Sequence, residues 1–370
     1  MTRIKLTLMG LAVLLAAFCS LRQVYSADDS HFRWVKSETA ASLYDGDRLV
    51  FSFQYAFIDH APLTPTNEPR RYAGDYLYPF NGVEGENLTE DAPKDHYHHH
   101  GVFWTWPGVF VHEKDGTVKS YDLWTSNTQI RQRFVRFLAC ETFEDRAVIS
   151  IENGWYVGSK ATTPDKELDP AKKGETIAEN EKFYGEKIMK EIVTITTWRL
   201  ETFEGVPCRS VDIELTLIPT TRPVSLQGAE KKSYGGLTIR FRPVGEIGKD
   251  RFITTDEGLA NDDMPEKNLR WADMTSRFGA IDSATGEPSA LSGAAIFLSP
   301  NFPDFPPTWL TRYYGPLCVG FPGVVARRFE PGKPVVMKAR IWEHKGVVSV
   351  EVLKRAFEVW AESEKSEEEQ

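Results

Sequence analysis

The sequence predicts an all-β fold, an antiparallel sandwich of many strands. Two observations carry that reading. Apolar residues recur with period two rather than 3.6, and short clusters of turn-forming residues separate the runs.

The chain opens with Arg3 and Lys5 ahead of an uncharged apolar run, Leu6 to Phe18, followed by small and polar residues ending Val24-Tyr25-Ser26. A basic start, an apolar stretch and a small-residue cleavage site read as a secretory leader over residues 1–26. Its apolar run is too short for a comfortable membrane span. In LVFSFQYAF, Leu49, Phe51, Phe53, Tyr55 and Phe57 fall on one strand face. In VDIELTLI, Val211, Ile213, Leu215 and Leu217 alternate with Asp212, Glu214 and Thr216, and VVMKARIW repeats the pattern with Met337, Ala339 and Ile341. DGDR, FNGVEGEN, FEGVP and FEPGKP supply the turns. Residues 160–187 are charged, with few large apolar side chains, and are expected to form a surface insertion. EVLKRAFEVWAE, residues 351–362, places Val352, Phe357 and Trp360 at roughly helical spacing, so a short C-terminal helix is expected there. The domain then spans residues 27–362, and 363–370 (SEKSEEEQ) is expected to be a disordered acidic tail.

The formal net charge is −9. The leader holds three basic and no acidic residues, so its removal leaves −12. An acidic surface argues against nucleic acid, whose phosphates demand a basic one. Nothing after Ser26 approaches about eighteen consecutive apolar residues, so no membrane partner is expected once the leader is gone. Cys140, Cys208 and Cys318 lack zinc-finger spacing. One disulfide with a spare thiol and three free thiols both remain open.

The chemistry concentrates in DHYHHHGVFWTW, Asp95 to Trp106, which holds four of the chain's eight histidines. On a strand, His96, His98 and His100 would share a face with Trp104 and Trp106, and His99 would point away with Asp95. Three readings compete. Alternating imidazoles suit a divalent metal, with His96, His98 and His100 as ligands and a further one from His112, Asp122 or Glu113. Imidazole also moves protons near neutrality, and Asp95 is placed to orient a ring. Trp104, Trp106 and Trp124 would then stack on sugar rings. Buried structural histidines are the third reading. Acid–base chemistry on a carbohydrate ligand explains the most residues, with no cofactor required.

YPFNGVEGENLTEDAPKDHYHHHGVFWTW resembles the signature of a bacterial family labelled "methane oxygenase PmoA". SYGGLTIRFRP, LRWADMTSRFGA, GAAIFLSPNFPDFPPTWLTRYYGPL and FEPGKPVVMKARIWEHKG match further along, in order. The resemblance implies export, a galactose-mutarotase-like β-supersandwich and a place among sugar-processing proteins. The family pattern usually reads DHxHHRG, and His100 stands here in place of the arginine. The methane-oxygenase label fails physically, because such a membrane subunit needs several spanning helices.

The matching segments add Asp273 and Tyr313 to His96, His98, His99 and Asp95 as candidate catalytic groups. They add Tyr234, Trp271, Asn301, Trp309 and Arg312 to the candidate sugar contacts. PNFPDFPPTWLTRYY is too rich in proline for a central strand and is expected to be a loop over one end of the sandwich. The predicted function is an exported carbohydrate-active enzyme performing hydrolysis, elimination or isomerisation. A non-catalytic sugar-binding protein is the alternative. Leader cleavage is directly checkable: N-terminal sequencing of exported protein should begin at Ala27, and an intact Met1 would refute it.

Overall fold

The structure is a computed structural model and describes residues 32–60, 63–65, 72–125, 128–162, 184–278 and 290–368. Residues 1–26, expected to be a leader, and residues 163–183 of the expected charged insertion lie outside these residues. Among the described residues, one antiparallel sheet holds nine strands in the order Phe32–Lys36, Ala40–Asp45, Arg48–Gln54, Tyr76–Phe80, Val102–Thr105, Gly236–Arg240, Pro316–Gly320, Thr308–Thr311 and Met264–Asn268. A second runs Ile130–Thr142, Arg146–Val157, Glu186–Trp198, Val206–Pro219, Val335–Lys345, Leu291–Leu298, Trp271–Arg277, Arg251–Thr255 and Gly258–Leu259, with Glu201–Phe203 paired onto Val206–Pro219. A four-stranded sheet and the short pair Ile58–Asp59 with Tyr72–Ala73 complete the set.

The alternation seen in the sequence is what closes these sheets on each other. Val211, Ile213, Leu215 and Leu217 are buried on one face of their strand, as are Met337, Ala339 and Ile341. They share one apolar core with Phe51, Phe53, Leu77, Ile239 and Val319 of the nine-stranded sheet. The Arg48–Gln54 strand ends before Tyr55 and Phe57, which sit in the connection that follows.

The proline-rich expectation is half right. Thr308–Thr311 is a strand inside the nine-stranded sheet, one place from its edge, and the prolines confine themselves to the approach. Trp309 is therefore a strand residue in the core.

The C-terminal helix runs Val350–Glu368, longer than its apolar spacing announces. Leu353, Ala356, Phe357, Trp360 and Ala361 cover Trp271, Ala295, Phe297 and Trp342 on the outer face of the second large sheet. Residues 363–368 continue the helix instead of forming a disordered tail. Glu364 is buried there and pairs with Lys338 at 2.6 Å, so a charged sequence is held by a sheet cation. The three cysteines are free thiols, and burial pushes Cys208 up to about 12 and Cys318 up to about 11.

Trp360 is 2 % exposed. Replacing it by alanine leaves a large cavity under the helix and should cost about 3–5 kcal/mol. Urea unfolding of Trp360→Ala should show a lower midpoint at unchanged slope. A loss below about 1 kcal/mol would mean the helix is not part of the cooperative fold.

Candidate functional site

The histidine run is a set of turns, not a strand. The His96 N–H donates to Pro93 O at 2.9 Å, and the His99 N–H donates to His96 O at 3.0 Å. Asp91 and His100 face each other across an isolated bridge, so the loop closes on itself. Gly101 follows at φ 49°, where a Cβ would sit 2.0 Å from Leu77 O. Only glycine fits there. The strand starts at Val102. The period-two assignment of His96, His98 and His100 to the Trp104 face therefore fails.

In place of a striped strand there is a stack. The His96 ring lies parallel to Tyr314 at 5.2 Å and to His99 at 4.7 Å. His98 meets His99 edge-on at 4.7 Å and tilts toward Trp124 at 6.2 Å. His99 is buried. Burial, with His98, Arg240 and His96 adding repulsion, holds its pKa well below the ordinary imidazole range. Asp95 is held by Arg240, whose Nη2 donates to both its oxygens at 3.0 Å. Asp95 Oδ2 also lies 2.9 Å from His96 Nδ1.

Behind the stack lies a buried polar cluster that sequence reasoning missed, apart from His100. His100 Nδ1 is 2.6 Å from Asp91 Oδ1. His60 Nε2 is 3.2 Å from Asp91 Oδ2 and 2.7 Å from the Tyr76 hydroxyl. Tyr76 donates to Asp91 Oδ2 at 3.3 Å. Burial alone would raise the Asp91 carboxyl, but hydrogen bonds from His100 and His60 hold it below the usual carboxylate range. Burial also raises the Tyr76 phenol and lowers His100. Among the described residues, His60, Asp91 and His100 form the group of three whose ligand atoms lie within 4.8 Å of one another. The set expected for a metal, His96, His98 and His100, does not form such a group. His112 bonds Ser225, Glu113 pairs with Lys119 and Arg222, and Asp122 caps its own loop through Thr125.

A cavity of about 30 Å³ opens beside the cluster, lined by Asp75, Tyr76, His98, His100, Phe103 and Trp124 among others. That volume holds roughly two waters. Asp75 is the unexpected member. It is 3 % exposed, adopts φ 70°, and lies against the Glu191 carboxylate, with Asn153 and Trp104 beside it. Burial, then the nearby Glu191 charge, pushes its pKa well above the carboxylate range. A second pocket of about 390 Å³ shares Phe57 as a wall. Tyr55, Phe134, Tyr184, Arg133, Glu38 and Asp59 help to line it. Its size falls within the range of small-molecule sites.

Several expected contacts are withdrawn from the surface. Trp104, Trp106, Trp271 and Trp309 are fully buried and offer no face to a sugar. Trp104, Trp106 and Trp309 spend their N–H groups on Glu191, Phe321 O and Leu269 O. Asp273 is buried against His344 at 2.9 Å, Arg312 pairs with Asp263 at 3.3 Å, and the Tyr313 hydroxyl donates to Ala260 O at 2.5 Å. Asn301 is exposed in the turn after Leu298. Trp124 lines the small cavity, and its ring lies 4.8 Å from that of Tyr234, which is half-buried. Gly236, two residues on, brings its backbone close to Val319 O rather than to a ligand. Of the adjacent pair Tyr313 and Tyr314, it is Tyr314 that stacks on His96.

A family model described as "Family of unknown function (DUF6807)" matches residues 40–358. The chain belongs to this family. Its description carries neither an activity nor the methane-oxygenase label. No curated protein matches the chain by sequence. Among solved structures, the chain is similar to a galactose mutarotase related enzyme from Lactobacillus acidophilus at 10% identity and TM-score 0.30, over 86% of this chain and 99% of that one. It is also similar to a polysaccharide lyase at 9% identity and TM-score 0.28, over 86% of this chain and 33% of the lyase, a third of that protein's length. Among the described residues, no helix is long and apolar enough to cross a membrane.

The raised Asp75 carboxyl has a consequence for stability. Its folded pKa exceeds its unfolded value of about 3.9, so above that pH the folded state keeps a proton that the unfolded state releases. Stability should then fall as pH rises through that window. Asp75→Asn is neutral throughout and removes this loss. Urea unfolding between pH 5 and pH 8 should show the wild type losing more stability than the variant. Equal losses would mean Asp75 is not held protonated.

Proposed function

We propose that the protein is an exported carbohydrate-active enzyme working by general acid–base catalysis at the Asp75–His98 cavity. One observation carries the reading: a buried carboxyl and a histidine line the same small cavity, with Trp124 in its wall. A carboxylic acid kept neutral by burial can donate a proton to a leaving or carbonyl oxygen, and an imidazole can accept one. The 30 Å³ cavity is too small for a sugar ring. The aromatic pocket beside it supplies the volume, with Tyr55, Tyr184 and Phe134 as apolar walls and Glu38, Asp59 and Arg133 as polar anchors. Tyr234 packs on Trp124, which lines the small cavity, and both Tyr234 and His98 are partly exposed. Export rests on the leader. Hydrolysis, elimination and isomerisation all use such a pair, and the reading covers these three.

The test is a screen of purified mature protein against oligosaccharides, including 3-keto and uronic-acid forms. On a substrate that turns over, Asp75→Asn and His98→Ala should each lower kcat by about 10² to 10⁴. Tyr234→Ala should raise KM first. Folded Asp75 and His98 variants with full activity would sink the assignment. Binding without turnover of any sugar would favour the non-catalytic alternative.

A further inference from the structure

The Asp91 carboxylate sits where a cation is expected. Its side chain is 6% exposed, and its partners are two imidazoles and one phenol. Among the described residues no lysine or arginine pairs with it, unlike Asp45, which pairs with Arg209, and Glu364, which pairs with Lys338. A buried carboxylate without a compensating charge is costly. The two histidine rings lie 4.8 Å apart at centroids, and each aims a nitrogen at this one carboxylate.

We propose that His60, Asp91 and His100 form a binding site for a first-row divalent transition metal. His60 contributes Nε2, His100 contributes Nδ1, and Asp91 contributes a carboxylate oxygen. Two nitrogens, each about 2.0–2.1 Å from one ion in a tetrahedral site, lie roughly 3.3 Å apart. The ligand atoms here fall within 4.8 Å of one another, so small ring rotations complete the site. Two imidazoles and one carboxylate suit zinc, iron or cobalt and leave coordination positions open. His100 and Tyr76 also line the small cavity, so an open position would face it. The Tyr76 hydroxyl, already bonded to Asp91 Oδ2, would orient the carboxylate from outside the coordination sphere. On binding, His100 must carry its proton on Nε2, which frees the Nδ1 lone pair for the ion.

This inference stands apart from the sugar reading, because metal binding is measured without a substrate. Purified mature protein without an affinity tag would be stripped with chelator, then titrated with Co²⁺ and with Zn²⁺. Bound metal would be counted after gel filtration, and Co²⁺ followed by its visible absorption. The expected result is about one ion per chain, with d–d bands of a low-coordinate site. Asp91→Asn keeps the side-chain shape, and His100→Arg replaces a ligand by a cation that can pair with Asp91 but cannot coordinate a metal. Each should weaken binding by about 100-fold or more. His96→Ala, which removes a more exposed imidazole of the same loop, should bind as the wild type does. Thermal melts of the stripped proteins separate ligand loss from unfolding. Wild-type protein that holds no ion at 100-µM metal, or folded Asp91→Asn and His100→Arg variants that bind as tightly as wild type, would overturn the proposal. Loss of binding in His96→Ala alone would do the same, by placing the ion on the surface.

Discussion

Everything at this end of the sandwich depends on one buried carboxylate, Glu191. It is completely buried on the Glu186–Trp198 strand. Four neutral N–H groups converge on its two oxygens: Trp104 and Asn153 on one, Gln132 and Trp155 on the other, at 2.8–3.2 Å. Trp104 belongs to the nine-stranded sheet and the other three to the facing one. Apolar packing holds two sheets together but is indifferent to small sliding. A four-donor knot is not, because slipping it would strand buried polar atoms at about 1–3 kcal/mol each. The two sheets are registered here by hydrogen bonds.

That knot explains the neighbouring chemistry. The Glu191 charge lies near Asp75 and helps to raise its pKa. Two carboxyls in one dry region do not both ionise at neutral pH. Company decides the state of each buried acid in this molecule. Asp91 has imidazole and phenol donors and is pushed down. Glu343 sits buried with neither oxygen hydrogen-bonded, and burial raises it to about 8 although Arg209 pulls it back. Arg209 is committed to Asp45 at 2.7 Å. Partners, then, set which of these buried acids is held charged and which neutral.

The fold was legible because alternation is a local signal. Val211 to Leu217 and Met337 to Ile341 announce both strand and buried face in a few residues. The helix was legible for its apolar half only. Its last turns carry no apolar stripe, and the Lys338 partner that buries Glu364 lies on a distant strand. The site was legible as a place and illegible as an arrangement. Four histidines in five positions marked the loop. The same alternation logic puts them on a strand, whereas the Pro93 carbonyl opens a turn there. Tryptophan identity misled for a related reason: large aromatic rings fill cores at least as readily as they line clefts. His60, Asp75 and Tyr76 carry no local mark at all. They reach His100 through sheet pairing that no short window of sequence contains.

The histidine turn itself needs a rigid backing, since ordering a ten-residue loop costs entropy at every position. Arg240 provides it at three levels. Its backbone N–H donates to Gly101 O at 2.7 Å and its carbonyl accepts from Glu90 at 3.0 Å, which pins both ends of the loop to the Gly236–Arg240 strand. Its guanidinium holds Asp95 in the middle. The same guanidinium lies over the Tyr314 ring at 4.9 Å, and Tyr314 carries the His96–His99 stack. The Asp95 side chain is 47% exposed, so the ion pair is worth little as energy. Its value is positional. With the loop ends, the middle and the ring stack all referred to one residue of one strand, His98 has few places to go. It tilts toward Trp124 and lines the same small cavity as Asp75.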